Sequence, residues 1–554
     1  MASGADWFGA GVKATVEVIP AGWTQSFILS AGQGINDGMM AWGDRILKFT
    51  GKPRADMYTD ITHSTIGFWT DNGGYYHYAT GEEPCKPGNC PSYETVLPKV
   101  KAYHESIGVP FRHWQFDSWF YPKDGGVNAG GGGGALTNWT ADPNIFPSGM
   151  VAIQKALDLP IVMHSRQWSI RSDYEKNGCQ KSCAGGKPMD TPCTWYNSTK
   201  AAVPTDPIAF FTWFFTQQDG WGLSMYEQDW MVTEYDEVEA LQSNISMGDL
   251  WLEGMATGAG SSDRTVQYCM PLPSEVMSAA AYPAVTNARA TGDYFHGTGD
   301  GGRGQWALGG TSLFYWAIGI LPFKDGYYSS TNKQVGGQTV GPEKNPDREA
   351  LMATLSCAMV GPMDGIHLLN KTRTMMSARG DGYILKPDRP ISSTDSCFKG
   401  AKPDPTCATY YTFSEHATGK IGYLYMDEPK PLLADSFYLT GTADAVVYDW
   451  YSGTLSKLAA TNTVAPGYEG HIYAMVSPIA GGWAFIGEVD KYVPASKLRF
   501  PSVEAAAGKL TVTVDVVEGE TVKVCAAEAT SMKLVCQSVS KAGNSTVAFP
   551  PASA

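Results

Sequence analysis

The chain has 554 residues and a mass of 59.7 kDa, which is more than one hydrophobic core usually serves and predicts two or three domains. Only 17% of the residues are charged and 12% are aromatic, a composition that excludes a disordered chain. The formal net charge of −14 and the lack of any Lys/Arg-rich run argue against nucleic acid and anionic membranes as partners and favour a neutral ligand.

Residues 1–55 predict a short N-terminal segment that packs onto a larger domain. They contain an alternating stretch, Val12 to Ile19, and a helical pattern from Asn36 to Thr50. The first residues show no basic region followed by an apolar segment, so we expect that a signal peptide was removed or never existed. The longest apolar run, Ser312 to Phe323, is shorter than the roughly 20 residues of a membrane span, and no membrane span is expected.

Residues 56–408 predict a (β/α)₈ TIM barrel, because eight short apolar runs alternate with helical stretches. The predicted strands are Thr65–Thr70, Arg112–Phe116, Ile161–His164, Gly222–Gln228, Thr265–Met270, Val285–Ala290, Ile318–Phe323 and Ala358–Gly361. The predicted helices are Glu94–Ile107, Gly149–Leu157, Pro207–Phe215, Asp236–Thr257 and Asp347–Leu355. Parallel βα units account both for the eight predicted strands and for the length of this region.

Residues 409–554 predict a C-terminal antiparallel β-sandwich. Here Val, Tyr and Thr alternate with polar residues between Gly and Asn turns, as in Gly419 to Tyr425 and Leu510 to Val517. The fold class is therefore α/β with an all-β C-terminal domain.

Cysteines and glycosylation sequons indicate an oxidising, secretory compartment. The natural disulfide pairs are Cys85 with Cys90, Cys397 with Cys407, and Cys525 with Cys536, and Cys179, Cys183 and Cys193 leave a further bridge open. Cys269 and Cys357 lie in apolar surroundings and are expected to be free thiols. Sequons occur at Asn138, Asn197, Asn244, Asn370 and Asn544. We therefore expect a secreted or lumenal glycoprotein with disulfide bonds.

Polar residues follow almost every predicted barrel strand, where a barrel binds its ligand. The candidate binding residues are Trp69, Asp71, Asp117, Trp119, His164, Arg166, Trp168, Tyr226, Glu227, Cys269 and Arg289. Carboxylates beside Trp and Tyr suit a sugar, which needs acceptors for its hydroxyls and flat apolar faces for its C–H surface. Each carboxylate taken singly could instead cap a loop or a helix.

Glycoside cleavage needs two carboxyl groups beside the scissile bond. Asp229 and Asp293 form the best pair, since Asp229 ends a mostly apolar strand and Asp293 follows Arg289 by four positions. An opposite charge is thus available to tune one carboxyl relative to the other.

Five segments carry a resemblance to a known family. They are Gly67–Asp71, Tyr226–Trp230, Gln267–Met270, Arg289–Tyr294 and Asp381–Pro390. In this order the chain resembles the α-galactosidase superfamily of retaining glycoside hydrolases (family 36-like), most closely the plant-type alkaline α-galactosidases and the raffinose or stachyose synthase-like proteins.

The resemblance implies a double displacement at a carbohydrate substrate, an oligosaccharide or glycoconjugate, with no metal or organic cofactor. Asp229 would attack the anomeric carbon, and Asp293 would act first as acid and then as base, with the carboxyl groups about 5 to 5.5 Å apart. Arg289 would bind the hydroxyl next to the anomeric centre. The pocket lining would include Asp71, Asp117, His164, Trp168 and Cys269, with Trp306 and Asp325 at the rim.

Two departures from the family pattern concern sugar recognition. The family commonly carries Lys-x-Asp at the fourth strand, and here Glu227 stands in place of the lysine. Many members also carry paired aspartates after the second strand, whereas Asp117 is followed by Ser118. A third departure is the length of the N-terminal region. Relatives often have a large β-domain before the barrel, whereas this region is short, and we expect that the chain is a trimmed form.

Three functions remain open from the sequence. The leading one is hydrolysis of terminal α-linked sugars by a retaining α-galactosidase. The second is transfer of the galactosyl group to a sugar acceptor, as in raffinose synthase-like proteins. The third is a catalytically silent carbohydrate-binding protein, against which the presence of both Asp229 and Asp293 argues. The sequence does not decide between a monomer and a homo-oligomer.

Overall fold

The computed structural model describes residues 11–75, 92–126, 134–179, 187–294, 308–334, 342–399, 409–427, 444–459, 461–467 and 469–551, with short strands at 2–3, 8–9, 402–403 and 432–433. No helix among these residues is both long enough and apolar enough to cross a membrane.

A six-stranded parallel sheet forms the centre of the N-terminal part. In spatial order its strands are Leu321–Phe323, Val285–Arg289, Thr265–Tyr268, Leu223–Gln228, Ile161–Ser165 and Trp114–Phe116. These strands are almost entirely buried, as expected of a parallel sheet covered on both faces. Six of the eight predicted strands are therefore present, with ends shifted by up to three residues.

The other two predicted strands, Thr65–Thr70 and Ala358–Gly361, form only isolated bridges among the described residues, and all of these are parallel except the one between Thr65 and Tyr383. Phe68 bridges Trp114, Ile66 bridges Val360, and Tyr327 bridges Pro362. Neither run can extend towards the N-terminus as a strand. A helical turn, Ile61–Ser64, directly precedes the first run, and Cys357, with a left-handed backbone (φ 61°), directly precedes the second.

Five of the six predicted helices are present, with ends within one residue of the prediction, among thirteen helices in the part of the chain that the structure describes. These thirteen are Ile35–Thr50, Ile61–Ser64, Tyr93–Ser106, Met150–Leu157, Asp173–Lys176, Pro207–Phe214, Met231–Glu237, Glu239–Ser243, Met247–Gly260, Pro273–Ser278, Leu308–Ala317, Pro346–Leu355 and Lys371–Met375, with 3₁₀ turns at Ala279–Ala281 and Asp395–Cys397.

The single predicted helix Asp236–Thr257 is wrong, because this stretch is broken into three helices. Val238 and Asn244 both adopt extended backbone conformations and end the hydrogen-bonded ladder. The run Ser312 to Phe323 is likewise divided, since Gly319 (φ 81°) separates the helix Leu308–Ala317 from a strand that begins only at Leu321.

The N-terminal helix Ile35–Thr50 packs against the helix Leu308–Ala317. Gly43 lies against the Ala317 backbone, where an added Cβ atom would come within 2.2 Å of the carbonyl oxygen. Before this helix, the predicted alternating stretch from Val12 to Ile19 is not a strand, and Val18 makes only one bridge, to Asn244. Val18 is 70% exposed, so its apolar side chain has no layer to pack against.

The C-terminal part consists of antiparallel sheets. A nine-stranded sheet contains Ser392–Ser393, Thr409–His416, Gly419–Met426, Ala445–Asp449, Leu455–Lys457, Ile472–Ala480, Trp483–Glu488, Val522–Glu528 and Lys533–Val539. A three-stranded sheet contains Ser502–Ala506, Lys509–Val516 and Gly543–Phe549. Two-stranded pairs in this part are Phe398–Lys399 with Lys402–Pro403 and Leu432–Leu433 with Thr461–Asn462. The N-terminal part has two further antiparallel pairs, Ala2–Ser3 with Phe8–Gly9 and Trp195–Asn197 with Ala202–Pro204.

The antiparallel sheets are joined to the parallel part by polar contacts. The Tyr492 hydroxyl donates to Asp347 on the helix Pro346–Leu355 at 2.6 Å. Arg379 pairs with Asp515 at 2.7 Å. The two parts therefore share one buried hydrogen bond and one partly exposed ion pair across their boundary.

Two disulfides are present among the described residues, Cys179–Cys193 and Cys525–Cys536. The second confirms a predicted pair, and the first settles which of the three neighbouring cysteines are bonded. Cys269 and Cys357 are buried free thiols, as predicted. The remaining predicted partners, Cys85, Cys90, Cys183 and Cys407, lie outside the described residues.

Candidate active site

The polar residues predicted at the strand ends lie along one edge of the parallel sheet, because parallel strands that run side by side present their C-terminal ends together. The structure brings the following residues within hydrogen-bonding or electrostatic reach of one another: Asp71, Asp117, His164, Glu227, Asp229, Cys269, Arg289, Asp293 and Asp325. Acidic groups outnumber cations in this cluster, so the protonation state of each carboxyl decides what the site can do.

Asp229 follows the strand Leu223–Gln228 and is 9% exposed. Its Oδ1 accepts the backbone N–H of Trp230 at 2.7 Å, and its Oδ2 lies 3.0 Å from Nε2 of His164. Burial by itself favours the protonated form, but the hydrogen bond and charge of His164, together with the charge of Arg289, hold the pKa of Asp229 well below its usual range. Asp229 is therefore a buried but ionised carboxylate.

His164 lies between this carboxylate and a tyrosine. Its Nδ1 is 2.7 Å from the hydroxyl of Tyr121, which fixes the ring while Nε2 faces Asp229. Burial disfavours a charged imidazole, but the negative charges of Asp117 and Asp229 raise the pKa of His164 above its ordinary value. A protonated His164 donates to Asp229 and strengthens the ionised state of that carboxylate.

Arg289 is the buried cation of the cluster and ends the strand Val285–Arg289. It pairs with Asp293, with Asp71 at 3.4 Å and with Asp325 at 3.3 Å. Burial and repulsion from neighbouring carboxylates raise the pKa of Asp71 well above its ordinary value, and burial also raises the pKa of Asp325. One guanidinium thus holds three carboxyl groups in a fixed arrangement.

Asp293 differs from Asp229 in its surroundings. Its side chain is 27% exposed and lies four residues after Arg289, to which it is paired. The next residue, Tyr294, donates its backbone N–H to Asp325 at 2.7 Å, and this anchors the segment. Asp293 is therefore the more solvent-accessible carboxyl of the predicted pair.

Glu227 is held by two amides. Gln115 and Gln267 donate to its two oxygens at 3.1 and 3.0 Å. Burial, opposed by the charge of His164, raises the pKa of Glu227 to about 8. Glu227 is thus protonated at neutral pH and is a neutral acid that can donate as well as accept a hydrogen bond.

Asp117 and Cys269 complete the described cluster. Asp117 accepts from Gln115 at 3.1 Å and from the backbone N–H of Ser118 at 2.5 Å. Cys269 is 1% exposed, and its thiol hydrogen-bonds to Asp229. Burial raises the pKa of the Cys269 thiol well above its ordinary value, so this residue is a neutral donor and not a nucleophile.

Four predicted aromatic residues have fully buried rings. Trp69 packs on Phe323, Trp119 stacks on Tyr93 at 4.0 Å, and both Trp168 and Tyr226 contact Phe214. Trp306 lies outside the described residues. Arg166 is buried too, and its guanidinium lies over the ring of Trp230, 4.4 Å from the ring centre.

Sequence reasoning missed Gln115, Gln267 and Tyr121. The two glutamines are buried polar residues inside otherwise apolar strands, which was a usable signal, since a buried amide must find partners. Tyr121 carried no such signal, because its contact with His164 depends on the path of the loop after the strand Trp114–Phe116. Among the described residues no group of three His, Cys, Asp or Glu side chains is arranged to hold a metal ion.

No family model and no curated protein sequence matches the chain. Solved structures with some similarity include a GH27 β-L-arabinopyranosidase from Geobacillus stearothermophilus (TM-score 0.49, 13% identity, covering 77% of this chain and 98% of that one). A GH36 α-galactosidase from the same organism has a TM-score of 0.47 and 9% identity over 80% of this chain and 59% of that one. An isomalto-dextranase from Arthrobacter globiformis has a TM-score of 0.46 and 11% identity over 89% and 95%. Similarity at this level carries no argument about the activity of this chain.

Proposed function

We propose that this protein is a retaining α-glycosidase and that α-galactosides are its substrates. Asp229 attacks the anomeric carbon while the bond to the leaving oxygen breaks and Asp293 donates a proton to that oxygen. Water then attacks the same carbon, Asp293 takes the water proton, and the bond to Asp229 breaks, so the configuration is retained.

One observation carries the proposal: the two carboxyl groups differ in burial and share a cation. Asp229 is buried and ionised, with His164 donating to it, which suits a nucleophile. Asp293 is partly exposed and is paired with Arg289, whose charge also acts on Asp229. Carboxyls placed in such different surroundings are typical of a nucleophile and an acid/base.

The sugar pocket, in this proposal, is lined by Asp71, Asp117, His164, Cys269 and Arg289, with Glu227 as a neutral acid beside them. Asp71 lies beside Arg289 at 3.4 Å, so the two together present an acceptor and a donor to a hydroxyl group. The four fully buried aromatic rings described above are left out as sugar contacts, because none of their surface is exposed.

We also propose that the six strands and the bridged segments together form the (β/α)₈ barrel of residues 56–408, followed by a β-sandwich of residues 409–554. The three parallel bridges support this, since they lead from the edge strand Trp114–Phe116 through Ile66–Phe68 and Val360–Pro362 to Tyr327, which follows the opposite edge strand Leu321–Phe323 by four residues. The five resembling segments support membership in the α-galactosidase superfamily, with the plant-type branch as the narrower assignment.

Secretion is part of the proposal. Two disulfides are present among the described residues, as expected in an oxidising compartment. Of the five sequon asparagines, Asn197, Asn244 and Asn544 are exposed, so a glycan attached to any of them would extend into solvent.

The test is hydrolysis of p-nitrophenyl α-galactoside by the wild-type protein, with Asp229→Asn as the blank and the anomer of the released sugar followed by NMR. The proposal expects release of the α-anomer by the wild type alone. Release of the β-anomer would overturn the double displacement, and no release would overturn the choice of α-galactosides. If a sugar acceptor such as sucrose takes up the galactosyl group in preference to water, the activity is transfer and not hydrolysis.

A further inference from the structure

Exposed apolar side chains are concentrated in one short stretch of the chain. The part of the chain that the structure describes has eight large apolar side chains that are strongly exposed, and six of them fall within residues 18–49: Val18, Ile19, Trp23, Phe27, Leu29 and Phe49. Single exposed apolar residues are common, but a concentration of this kind is typical of a surface that binds another macromolecule. We call residues 11–34, which carry five of the six, the arm.

The first half of the arm lies along the rim of a groove of about 170 Å³. Lys13 donates to the Tyr235 hydroxyl at 2.6 Å and Val18 bridges Asn244, and both Tyr235 and Asn244 line the groove. Its apolar lining is Leu241, Ile245, Trp251 and Leu252. The volume is close to the roughly 150 Å³ of a protein cavity that holds benzene. In the described structure no arm residue belongs to the lining, so the groove has room for one aromatic side chain from another molecule.

The second half of the arm packs along the N-terminal helix, on the same face of the molecule. Arg45 of this helix donates to Ser30 at 2.8 Å. Phe49 follows Arg45 by about one helical turn, which places its exposed ring near the end of the arm. Thr50 donates to the carbonyl of Ala280 at 2.7 Å, in the turn that directly follows a groove-lining helix. Arm, helix and groove therefore form one continuous surface.

The charges of this surface favour a second copy of the chain as its partner. Residues 19–34 contain no charged residue, whereas the whole chain has a net charge of −14. Two copies therefore meet here with less like-charge repulsion than at an average face. Asp37 and Lys48 are exposed on the N-terminal helix, on one side and about three turns apart. An antiparallel contact between two copies of this helix pairs each Asp37 with the Lys48 of the other copy.

We propose that arm, N-terminal helix and groove form the interface of a two-fold symmetric dimer, in which an aromatic side chain of each arm enters the groove of the other copy. A two-fold contact requires a surface that complements itself, and this one carries both the protruding rings and the groove. Six side chains of about half exposure offer roughly 600 Å² per copy and about 1,200 Å² per dimer, the lower end of the range of stable interfaces. The inference is independent of the proposed function.

Analytical ultracentrifugation of the full chain over a range of concentrations tests the dimer. We expect a species with twice the chain mass of 59.7 kDa, which dissociates on dilution. Phe27→Glu places a charge in the interface and should raise the dissociation constant at least about 30-fold. Val151→Glu is the matched control, because it places the same charge at a similarly exposed apolar residue elsewhere, and it should leave the dissociation constant unaltered.

Gly248→Phe tests the groove without changing the arm. Gly248 lines the groove, and a Cβ atom added there would meet only the carbonyl oxygen of Leu241 within 4 Å, at 3.7 Å. The new ring therefore fills the groove and leaves the single copy intact, which thermal unfolding at a concentration that gives monomers checks. We expect this variant to weaken the dimer as Phe27→Glu does.

A charge exchange tests the contact between the two helices. Asp37→Lys brings two lysines together in the dimer and should weaken it, and Asp37→Lys/Lys48→Asp should restore it. A monomer at every concentration, or a dimer that survives both Phe27→Glu and Gly248→Phe, overturns the inference. Flotation of the monomeric chain with phosphatidylcholine vesicles, lost in Phe27→Glu, would assign the surface to a membrane and would also overturn it.

Discussion

Nε2 of His164 lies 3.0 Å from Oδ2 of Asp229, and both side chains are buried. This contact explains how a carboxylate can be ionised in a site where burial alone would protonate it. Arg289 and Cys269 act in the same direction, because the charge of Arg289 and a hydrogen bond from the neutral Cys269 thiol both lower the pKa of Asp229.

Replacing His164 by Leu should move the acidic limb of the pH profile of kcat/KM to higher pH. Burial raises the pKa of Asp229, and the imidazole of His164 lowers it. Without the imidazole this pKa rises, so a higher pH is needed to ionise Asp229. Tyr121→Phe is the matched control, since it removes only the partner of Nδ1 and leaves Nε2 facing Asp229. An acidic limb that stays in place in His164→Leu would show that His164 does not tune the nucleophile.

Asp293→Ala should lower kcat/KM by a factor that depends on the leaving group of the substrate. Alkyl or sugar galactosides should lose roughly 10²- to 10⁴-fold in kcat/KM, because their leaving oxygen must be protonated. For galactosides of acidic phenols, whose leaving oxygen needs little protonation, kcat/KM for formation of the glycosyl-enzyme should fall much less. The measurement is a series of aryl galactosides of decreasing phenol pKa, and equal losses across the series would assign the acid to another residue.

Wild-type activity should fall at alkaline pH, and Glu227→Gln should prevent this fall. Since the pKa of Glu227 is about 8, the wild-type site gains a negative charge beside Asp229 above that pH, whereas a glutamine stays neutral. The variant should resemble the wild type near pH 6 and retain more kcat/KM near pH 9. Glu234→Gln, a second buried acid with a raised pKa outside the cluster, should keep the wild-type alkaline limb.

The same substitution predicts a change in stability with a definite sign. The ordinary pKa of a glutamate is 4.5, and that of folded Glu227 is about 8, so unfolding releases a proton between these pH values. The contribution of Glu227 therefore becomes more destabilising as pH rises from 4.5 to about 8 and is constant above. Thermal unfolding should show Glu227→Gln gaining stability relative to the wild type over this window, and a difference independent of pH would contradict the assignment.

Gly43→Val should destabilise the protein by about 1 to 3 kcal/mol. Gly43 lies against the Ala317 backbone, so any side chain would push apart the helices Ile35–Thr50 and Leu308–Ala317. Gly38→Ala is the control in the same helix, because an added Cβ there would meet its nearest atoms at 3.6 Å, an ordinary contact. Chemical denaturation should show no loss for Gly38→Ala, and an equal loss in both variants would contradict the close packing at Gly43.

Much of the fold was predictable from hydrophobic periodicity. Buried parallel strands read as short apolar runs, and six of the eight runs are strands in the structure. What failed were boundaries set by single residues, such as the extended Val238 inside a helical pattern and the left-handed Cys357 before a predicted strand. Such conformations are imposed by tertiary packing and leave little trace in a local pattern.

The candidate site was predictable in its charged residues but less so in its aromatic residues. Carboxylates at strand ends meet because parallel strands end at one edge. Trp and Tyr beside them in sequence need not face the same side, since successive side chains of a strand point to opposite faces. Tyr226 and Glu227 show this: Glu227 meets Gln115 and Gln267, whereas Tyr226 packs among phenylalanines on the other face.

The central claim is that Asp229 forms a covalent bond to the sugar. The most direct measurement is to incubate the protein with a fluorinated α-galactosyl fluoride, which forms the glycosyl-enzyme quickly and hydrolyses it slowly, and to locate the adduct by peptide mass spectrometry. We expect one added fluorogalactosyl group, carried by the peptide that contains Asp229 and missing in Asp229→Asn. An adduct on another carboxyl group, or turnover of the reagent by Asp229→Asn at the wild-type rate, would contradict it.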